Sequence, residues 1–398
     1  MDRRRFLQGL GVASALLPLN PLFAASSSFN DFVKQQNDGF ANYQAELERD
    51  FKAYQQAIDE EFKSFKGQVK KVWGDEKIGS PTVFVQYSKD LKSRTIIDFE
   101  KGTMLVELLG AENSQGMAVK VRQTLLDSAN ASVREAYNKD PLLQNIEQRL
   151  NKEVTNQEKG RVSNEPLISD VLTGLSNPNK QQVEAAVIQA AKTGKTTTRS
   201  APKAGDKVFA FSIPLNQASI SNKSEQFKPL IKKYAQKEQV DPALVLAIMH
   251  SESAFNPMAK SHVPAYGLMQ IVPRSAGKDA SEKVYGKQRL LAPSYLYNSE
   301  NNIKMGCAYL NILYYRYLSK IDNPESRTYC VIAAYNTGSG NVAKAFGAGT
   351  NVSKAAVTIN RMSPQQVYNK LVSSLPYDET RNYMKKVTPR FKAYQSQV

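Results

Sequence analysis

The chain has 398 residues, of which 41% are hydrophobic and 23% charged, with a formal net charge of +16. This length and balance allow two globular domains with ordinary cores and exclude a membrane-spanning protein. The charge is uneven: residues 215–398 hold 24 Lys+Arg against 11 Asp+Glu (+13), and residues 1–214 hold 29 against 26 (+3). A basic half points to a polyanionic partner, either nucleic acid or a wall polymer bearing carboxylates, and no nucleic-acid motif is present. The plain alternative is a merely soluble basic surface.

Met1–Ala25 has a basic start, a short apolar run and small residues at its end, the pattern of a secretory signal. Asp2-Arg3-Arg4-Arg5-Phe6-Leu7-Gln8 resembles the twin-arginine export motif, with the general secretory route as the alternative. Pro18, Asn20 and Pro21 interrupt the apolar run, which is too short to span a bilayer. The first cysteine is Cys307, so no lipoprotein cleavage site precedes it. The expectation is an exported protein of a Gram-negative periplasm without a lipid anchor.

Phe40, Tyr43, Leu47, Phe51, Tyr54, Ile58, Phe62, Phe65 and Val69 recur at helical spacing and predict one long amphipathic helix. It lies on its own domain, on a partner helix, or extends as a spacer of about 45 Å. From Pro81 the period becomes that of strands: Thr82–Tyr87, Arg94–Phe99, a Glu100-Lys101-Gly102 turn, and Thr103–Leu109, the last two forming a hairpin. Helices are predicted at Met117–Tyr137, Pro141–Lys152, Pro166–Leu175 and Gln181–Lys192. Thr196–Lys207 is polar and punctuated, hence a loop, and Val208–Ile213 is a strand that completes the sheet. A boundary is placed at 214/215. The expected fold is α+β: an N-terminal domain (26–214) with a small antiparallel sheet and a long helix, then an all-α domain (215–398).

In the second half, Asp241-Pro242 forms an N-cap with proline in the first helical position, and Leu244, Val245, Ile248 and Met249 mark one face. Glu252 falls on that face in the last turn before Pro257 ends the helix. Apolar neighbours and the negative end of the helix dipole both disfavour its charged form, so its pKa should rise, as a general acid requires. The plain alternative is a solvated glutamate at a frayed helix end. Helices are also predicted at Glu225–Lys237, Asn301–Leu318 and Arg327–Tyr335.

Four segments then occur in a fixed order: Glu252-Ser253-Ala254-Phe255-Asn256-Pro257, Gly267-Leu268-Met269-Gln270, Ala334-Tyr335-Asn336-Thr337-Gly338, and a tyrosine in a basic helix, Glu379 to Val387 with Tyr383. Their order and spacing resemble the four signatures of the lytic transglycosylases, and Trp73–Leu109 resembles the N-terminal domain of the membrane-bound murein transglycosylase C branch. The resemblance implies a lysozyme-like catalytic domain acting on peptidoglycan glycan strands, with no cofactor and no nucleic acid, and with cell-wall machinery proteins as possible partners. It implies that Glu252 protonates the bond between N-acetylmuramic acid and N-acetylglucosamine, then deprotonates the 6-hydroxyl to close a 1,6-anhydro ring. It assigns substrate contacts to Ser253, Ser261, Gly267, Leu268, Met269, Gln270, Tyr335, Asn336 and Tyr383. For Ser253 and Ser261 a local cap or turn role is the alternative. Pro264 and Tyr266 depart from the usual Gly-Ala pattern before the tetrad.

Ordinary glycosidases use two carboxylates, but no Asp or Glu lies between Ser253 and Lys278. The one-acid mechanism fits that absence. A hydrolytic lysozyme using Asp279 or Glu300, or a non-catalytic wall-binding scaffold, are the competing readings. Cys307 and Cys330 lie on apolar helical stretches, as a disulfide or as two free thiols. His250 and His262 have no spacing to a second ligand pair, so no metal site is expected.

Overall fold

The computed structural model describes residues 27–110, 114–203, 205–215, 217–261 and 264–397. The secretory signal read at Met1–Ala25 and His262 lie outside these residues. The chain divides after Glu48: residues 27–48 are helical, and the unit Arg49–Val398 holds the sheet and all the later helices.

Helix α1 spans Ser27–Trp73. In the second unit its stripe Phe51, Tyr54, Ile58, Phe65, Val69 and Trp73 is at most 5% exposed. This part of the helix therefore lies on its own unit. Trp73 Nε1 donates to Leu91 O at 2.8 Å, and the Phe65 and Trp73 rings meet Tyr87 edge-on at 5.6 and 6.1 Å. Next come β1 (Val83–Tyr87), β2 (Ser93–Asp98), β3 (Thr103–Gly110), α2 (Ser114–Asn130), α3 (Val133–Lys139), α4 (Pro141–Glu153), β4 (Gln157–Glu158), α5 (Ser169–Thr173), α6 (Lys180–Ala191), β5 (Lys195–Ser200) and β6 (Lys207–Pro214). The sheet is antiparallel with order β1-β2-β3-β6-β5. Its central hairpin turns where predicted, with Gly102 at φ +64°.

Two local expectations are corrected. The segment predicted as one helix from Met117 to Tyr137 breaks at Ala131-Ser132, because Ser132 and Glu135 form a capping box that starts α3 afresh. The segment predicted as a loop from Thr196 contains β5, which pairs along its length with β6. All six residues of β5 are exposed, so the alternation that identifies a half-buried strand is absent from its sequence.

The second half is helical: α7 (Gln217–Glu238), α8 (Pro242–Ser253), α9 (Lys278–Tyr285), the two-residue β7 (Leu290–Leu291), α10 (Pro293–Leu296), α11 (Ser299–Asn311), α12 (Pro324–Thr337), α13 (Ser339–Ala345), α14 (Val352–Ile359), α15 (Pro364–Ser374) and α16 (Asp378–Gln395). After α11 the winding widens to a π turn at Ile312–Tyr317. The one strand described in this half, β7, pairs in parallel with β4 of the first half. Cys307 on α11 and Cys330 on α12 are buried free thiols, and burial pushes both thiol pKa values up. Among the described residues no helix is long and apolar enough to cross a membrane.

Candidate active site

Helix α8 begins as its sequence dictates, with Asp241 accepting from Ala243 N at 2.8 Å and Pro242 in the first turn. Its residues from Ala243 to Met249 are all buried, so the helix is covered all round and not along one stripe. It stops at Ala254 and Phe255, both in the left-handed region at φ +49° and +61°, a conformation that costs energy without glycine. Asn256, 0% exposed, fixes that reversal by accepting from Met258 N at 3.0 Å.

Glu252, in the last turn, keeps some accessible surface although protein surrounds most of it. Burial pushes its pKa up to about 7, and the carboxylate of Glu379 on α16 pushes the same way. The Tyr383 hydroxyl, donating to Glu252 Oε1 at 2.7 Å, and Lys386 pull it down. A carboxylic acid poised near neutrality can donate a proton and take one back.

The tetrad is built around Asn302 of α11, which is 0% exposed. Its Oδ1 accepts from Met269 N at 2.8 Å, and its Nδ2 donates to Tyr266 O and Leu296 O at 2.8 and 2.9 Å. Gly267 sits at φ +72°, where a Cβ would lie 2.4 Å from Asn302 Nδ2. Gln270, at φ +48°, donates through Nε2 to Gly267 O at 3.0 Å.

The structure brings the four segments together, but not all of their side chains face outward. Ser253, Leu268 and Met269 are 0, 1 and 0% exposed, leaving no side-chain surface for a sugar. The Ser253 hydroxyl is committed to Leu268 O at 2.8 Å and Met249 O at 3.0 Å, while Met269 packs on Gly306. These three side chains thus face inward. Tyr335 is half-buried, donates to Met269 O at 2.8 Å, and has its phenol pushed up by burial and then by the Glu252 charge. Asn336 accepts from Thr380 at 2.8 Å, tying the third segment to the fourth. Ser261 is half-buried in the loop before the tetrad, its backbone N–H donating to Ala265 O at 3.3 Å.

Glu379 and Thr380 lie inside the fourth segment, but their roles come from their contacts with Glu252 and Asn336. Asn302 lies outside all four segments and is identified by its partners alone. So is Arg390, which donates to His250 O and Ser251 Oγ at 3.1 Å each and, with Lys386, pairs with Glu100 of the β2–β3 turn. His250 itself is pushed down to about 4 by burial and Arg390, and its Nδ1 meets the Tyr394 hydroxyl at 3.0 Å.

The carboxylates of the hydrolytic reading are engaged elsewhere. Asp279 accepts from the Tyr317 hydroxyl at 2.8 Å, and Glu300 is held low by Lys233 and Tyr234, both at 2.7 Å. Two cavities of about 480 and 510 Å³, one beside β6 and one between Tyr314 and Phe391, do not include Glu252. No group of metal-binding side chains occurs among the described residues.

Two family models match the chain: the transglycosylase SLT domain over residues 229–357 and the N-terminal domain of membrane-bound lytic murein transglycosylase C over residues 51–171. Helix α16, with Tyr383, lies beyond the first match. Membrane-bound lytic murein transglycosylase C of Pectobacterium atrosepticum is 32% identical over 339 residues, covering 83% of this chain and 88% of that protein. The Sodalis glossinidius protein of the same name is 33% identical with the same coverage. The 70 kDa soluble lytic transglycosylase of Escherichia coli is 19% identical, with a TM-score of 0.36, over 71% of this chain and 44% of that one. With the N-terminal and transglycosylase models matched in this order, and relatives of one name aligned over most of both lengths, the chain belongs to the membrane-bound lytic murein transglycosylase C family.

Proposed function

We propose that the protein is a peptidoglycan lytic transglycosylase of the cell envelope, with Glu252 as its acid and then its base. The observation that carries this reading is the carboxyl of the largely buried Glu252, pushed up to about 7 and hydrogen-bonded to Tyr383. Protonated Glu252 gives its proton to the glycosidic oxygen between N-acetylmuramic acid and N-acetylglucosamine, and the C1–O bond breaks. The substrate's own acetamide stabilises C1. The Glu252 carboxylate then takes the proton of the 6-hydroxyl as that oxygen attacks C1, closing a 1,6-anhydro ring and restoring the acid without consuming water. Tyr383 orients the carboxyl throughout.

Of the nine proposed substrate residues, we assign sugar contact to the half-buried Tyr335, Asn336 and Ser261. Ser253, Leu268 and Met269, with Gly267 and Gln270, shape the loop, and Tyr383 is a positioning residue. The functional division is placed at residue 214, where β6 ends, with the basic surplus of the second part suited to a wall polymer. Export to the periplasm rests on the signal read at Met1–Ala25.

Mass spectrometry of muropeptides released from sacculi tests the reading: anhydromuramyl ends are expected, and reducing ends alone would establish hydrolysis. Glu252→Gln should lose more than the roughly 100- to 10,000-fold of a single acid–base step, since one group serves both half-reactions. Asp279→Asn and Glu300→Gln should stay within about tenfold of wild type, the low end of that range being about 100-fold.

A further inference from the structure

The N-terminal half meets the surroundings of the acid at one end of its sheet. Strands β1 and β2 end together there: Val83 pairs with Asp98, and Phe99 N donates to Thr82 O at 2.9 Å. Pro81 and Glu100 therefore lie at the same end of this strand pair. The turn that carries Glu100 is held by Asp98, whose Oδ1 accepts from the backbone N–H groups of Glu100 and Lys101 at 3.1 and 2.8 Å.

From this end of the sheet, contacts run to both sides of Glu252. Asn256, in the reversal that stops α8, donates through Nδ2 to Pro81 O at 3.1 Å. Glu100 Oε1 lies 2.9 Å from Lys386 Nζ and 3.6 Å from Arg390 Nη2, both on the helix that carries Tyr383. Lys386 and Arg390 follow Tyr383 by three and seven residues, so the three share one face of α16. Arg390 then reaches α8 with its other nitrogen, Nη1 donating to His250 O and Ser251 Oγ at 3.1 Å each. His250 O belongs to the last turn of α8, where the helix dipole favours a cation.

An exposed ion pair is worth little to stability by itself, and the Glu100, Lys386 and Arg390 side chains keep 44, 34 and 22% of their surface. Placement gives this one a further role. It holds Arg390 on the two residues before Glu252, while Pro81 holds Asn256, four residues after it. Lys386 stands one turn along α16 from the tyrosine that donates to the Glu252 carboxyl. Lys386 also pulls Glu252 toward its charged form, and it holds Glu100 below the usual carboxylate range.

We propose that Glu100 is a positioning residue for Glu252: by holding Lys386 and Arg390 it sets α16, and with it Tyr383, against the last turn of α8. The inference rests on the function proposed above. It makes one end of the N-terminal sheet part of the active-site scaffold, a role that none of the four motifs suggests.

The test uses the full chain. Glu100→Gln should lower kcat by about fivefold with KM within about twofold, since a small misplacement of catalytic groups costs up to roughly 100-fold. Its alkaline limb should move to lower pH, because Lys386, no longer neutralised, favours ionised Glu252 more strongly. Among the described residues, the other titratable groups that act on or sense Glu252 are Glu379, Tyr383 and Tyr335, and the substitution alters none of them. Adding Lys386→Met should return the limb toward its wild-type position, a rescue that loss of a merely structural contact would not give. Glu100→Asp, which keeps the charge, should leave the limb in place. Independently of activity, backbone hydrogen exchange of residues 250–256 should rise in Glu100→Gln. Unchanged exchange, or a limb at its wild-type position, in Glu100→Gln would overturn the proposal, as would a limb that stays shifted when Lys386→Met is added. A wild-type protein that releases no anhydro product would defeat the proposed function, while the exchange result would still decide this inference.

Discussion

Tyr383 and Glu252 share one hydrogen bond of 2.7 Å across 131 positions of sequence, and the two shift each other in opposite directions. The bond favours ionised Glu252 and so limits a rise that burial drives to about 7. In return the Glu252 charge, added to burial, pushes the Tyr383 phenol well up, so the tyrosine stays protonated and keeps donating. The carboxyl is thus poised and aimed by the same contact.

The pH profile should report this balance. The first step needs protonated Glu252, so kcat should fall as pH rises through about 7. Tyr383→Phe removes a bond that favours the charged form, and its alkaline limb should move to higher pH. Glu379→Gln removes a like charge that raises Glu252, so its limb should move to lower pH. Shifts of the same sign in the two variants would show that Glu252 is not the titrating group.

Stability should oppose activity at the same residue. An acid whose folded pKa exceeds its unfolded value of 4.5 destabilises the fold increasingly as pH rises from that value to about 7. Glu252→Gln should therefore raise Tm at pH 8 and leave it nearly unchanged at pH 4. The gain is on the order of 1–3 kcal/mol, because each pH unit between the folded and unfolded values is worth about 1.36 kcal/mol. An equal change in Tm at both pH values would remove ionisation as its cause.

What was legible in the sequence was local. The Asp241-Pro242 start of α8, the stop before Pro257 and the turn at Gly102 each depend on a few adjacent residues, and each is found. The four motifs singled out Glu252 and Tyr383, which the fold joins by a hydrogen bond of 2.7 Å. What was not legible depends on distant partners. Lys260 and Asp140 are 120 positions apart and pair at 3.3 Å in the interior, and nothing in either segment marks the other. Asn302 looks like one of several polar residues at the start of α11 until its three bonds to the tetrad and Leu296 are seen. Motif membership also does not tell an exposed side chain from one that is buried, such as Met269, which packs on Gly306.

Gly267→Ala should damage fold and site together. Its left-handed φ of +72° costs any other residue about 1–2 kcal/mol. The added Cβ also meets Leu296 O at 2.6 Å and Asn302 Nδ2 at 2.4 Å, and such overpacking costs about 1–3 kcal/mol more. Asn302 must move, and with it the anchors of Tyr266 and Met269. Thermal melting should show a loss of about 2–5 kcal/mol, the sum of those two costs, with kcat falling in the protein that remains folded. A Tm within a degree of wild type would mean that the tetrad tolerates repositioning.

Ser253→Ala separates the two roles open to that serine. Its side chain has no accessible surface, and its hydroxyl joins Met249 O within α8 to Leu268 O in the tetrad. Removing it leaves Leu268 O without this donor beside Glu252, at a cost of about 1–3 kcal/mol for a buried group left unpaired. Because the lost bond positions the loop and touches no sugar, Tm and kcat should fall while KM stays within about twofold, as when an interaction that matters at the transition state is removed. A sugar-contacting serine would give the opposite pattern, a raised KM with Tm and kcat preserved. Melting curves and initial rates on the same preparation, with Tyr335→Phe as the reference for a half-buried tyrosine bonded to the next carbonyl of the loop, would decide between them.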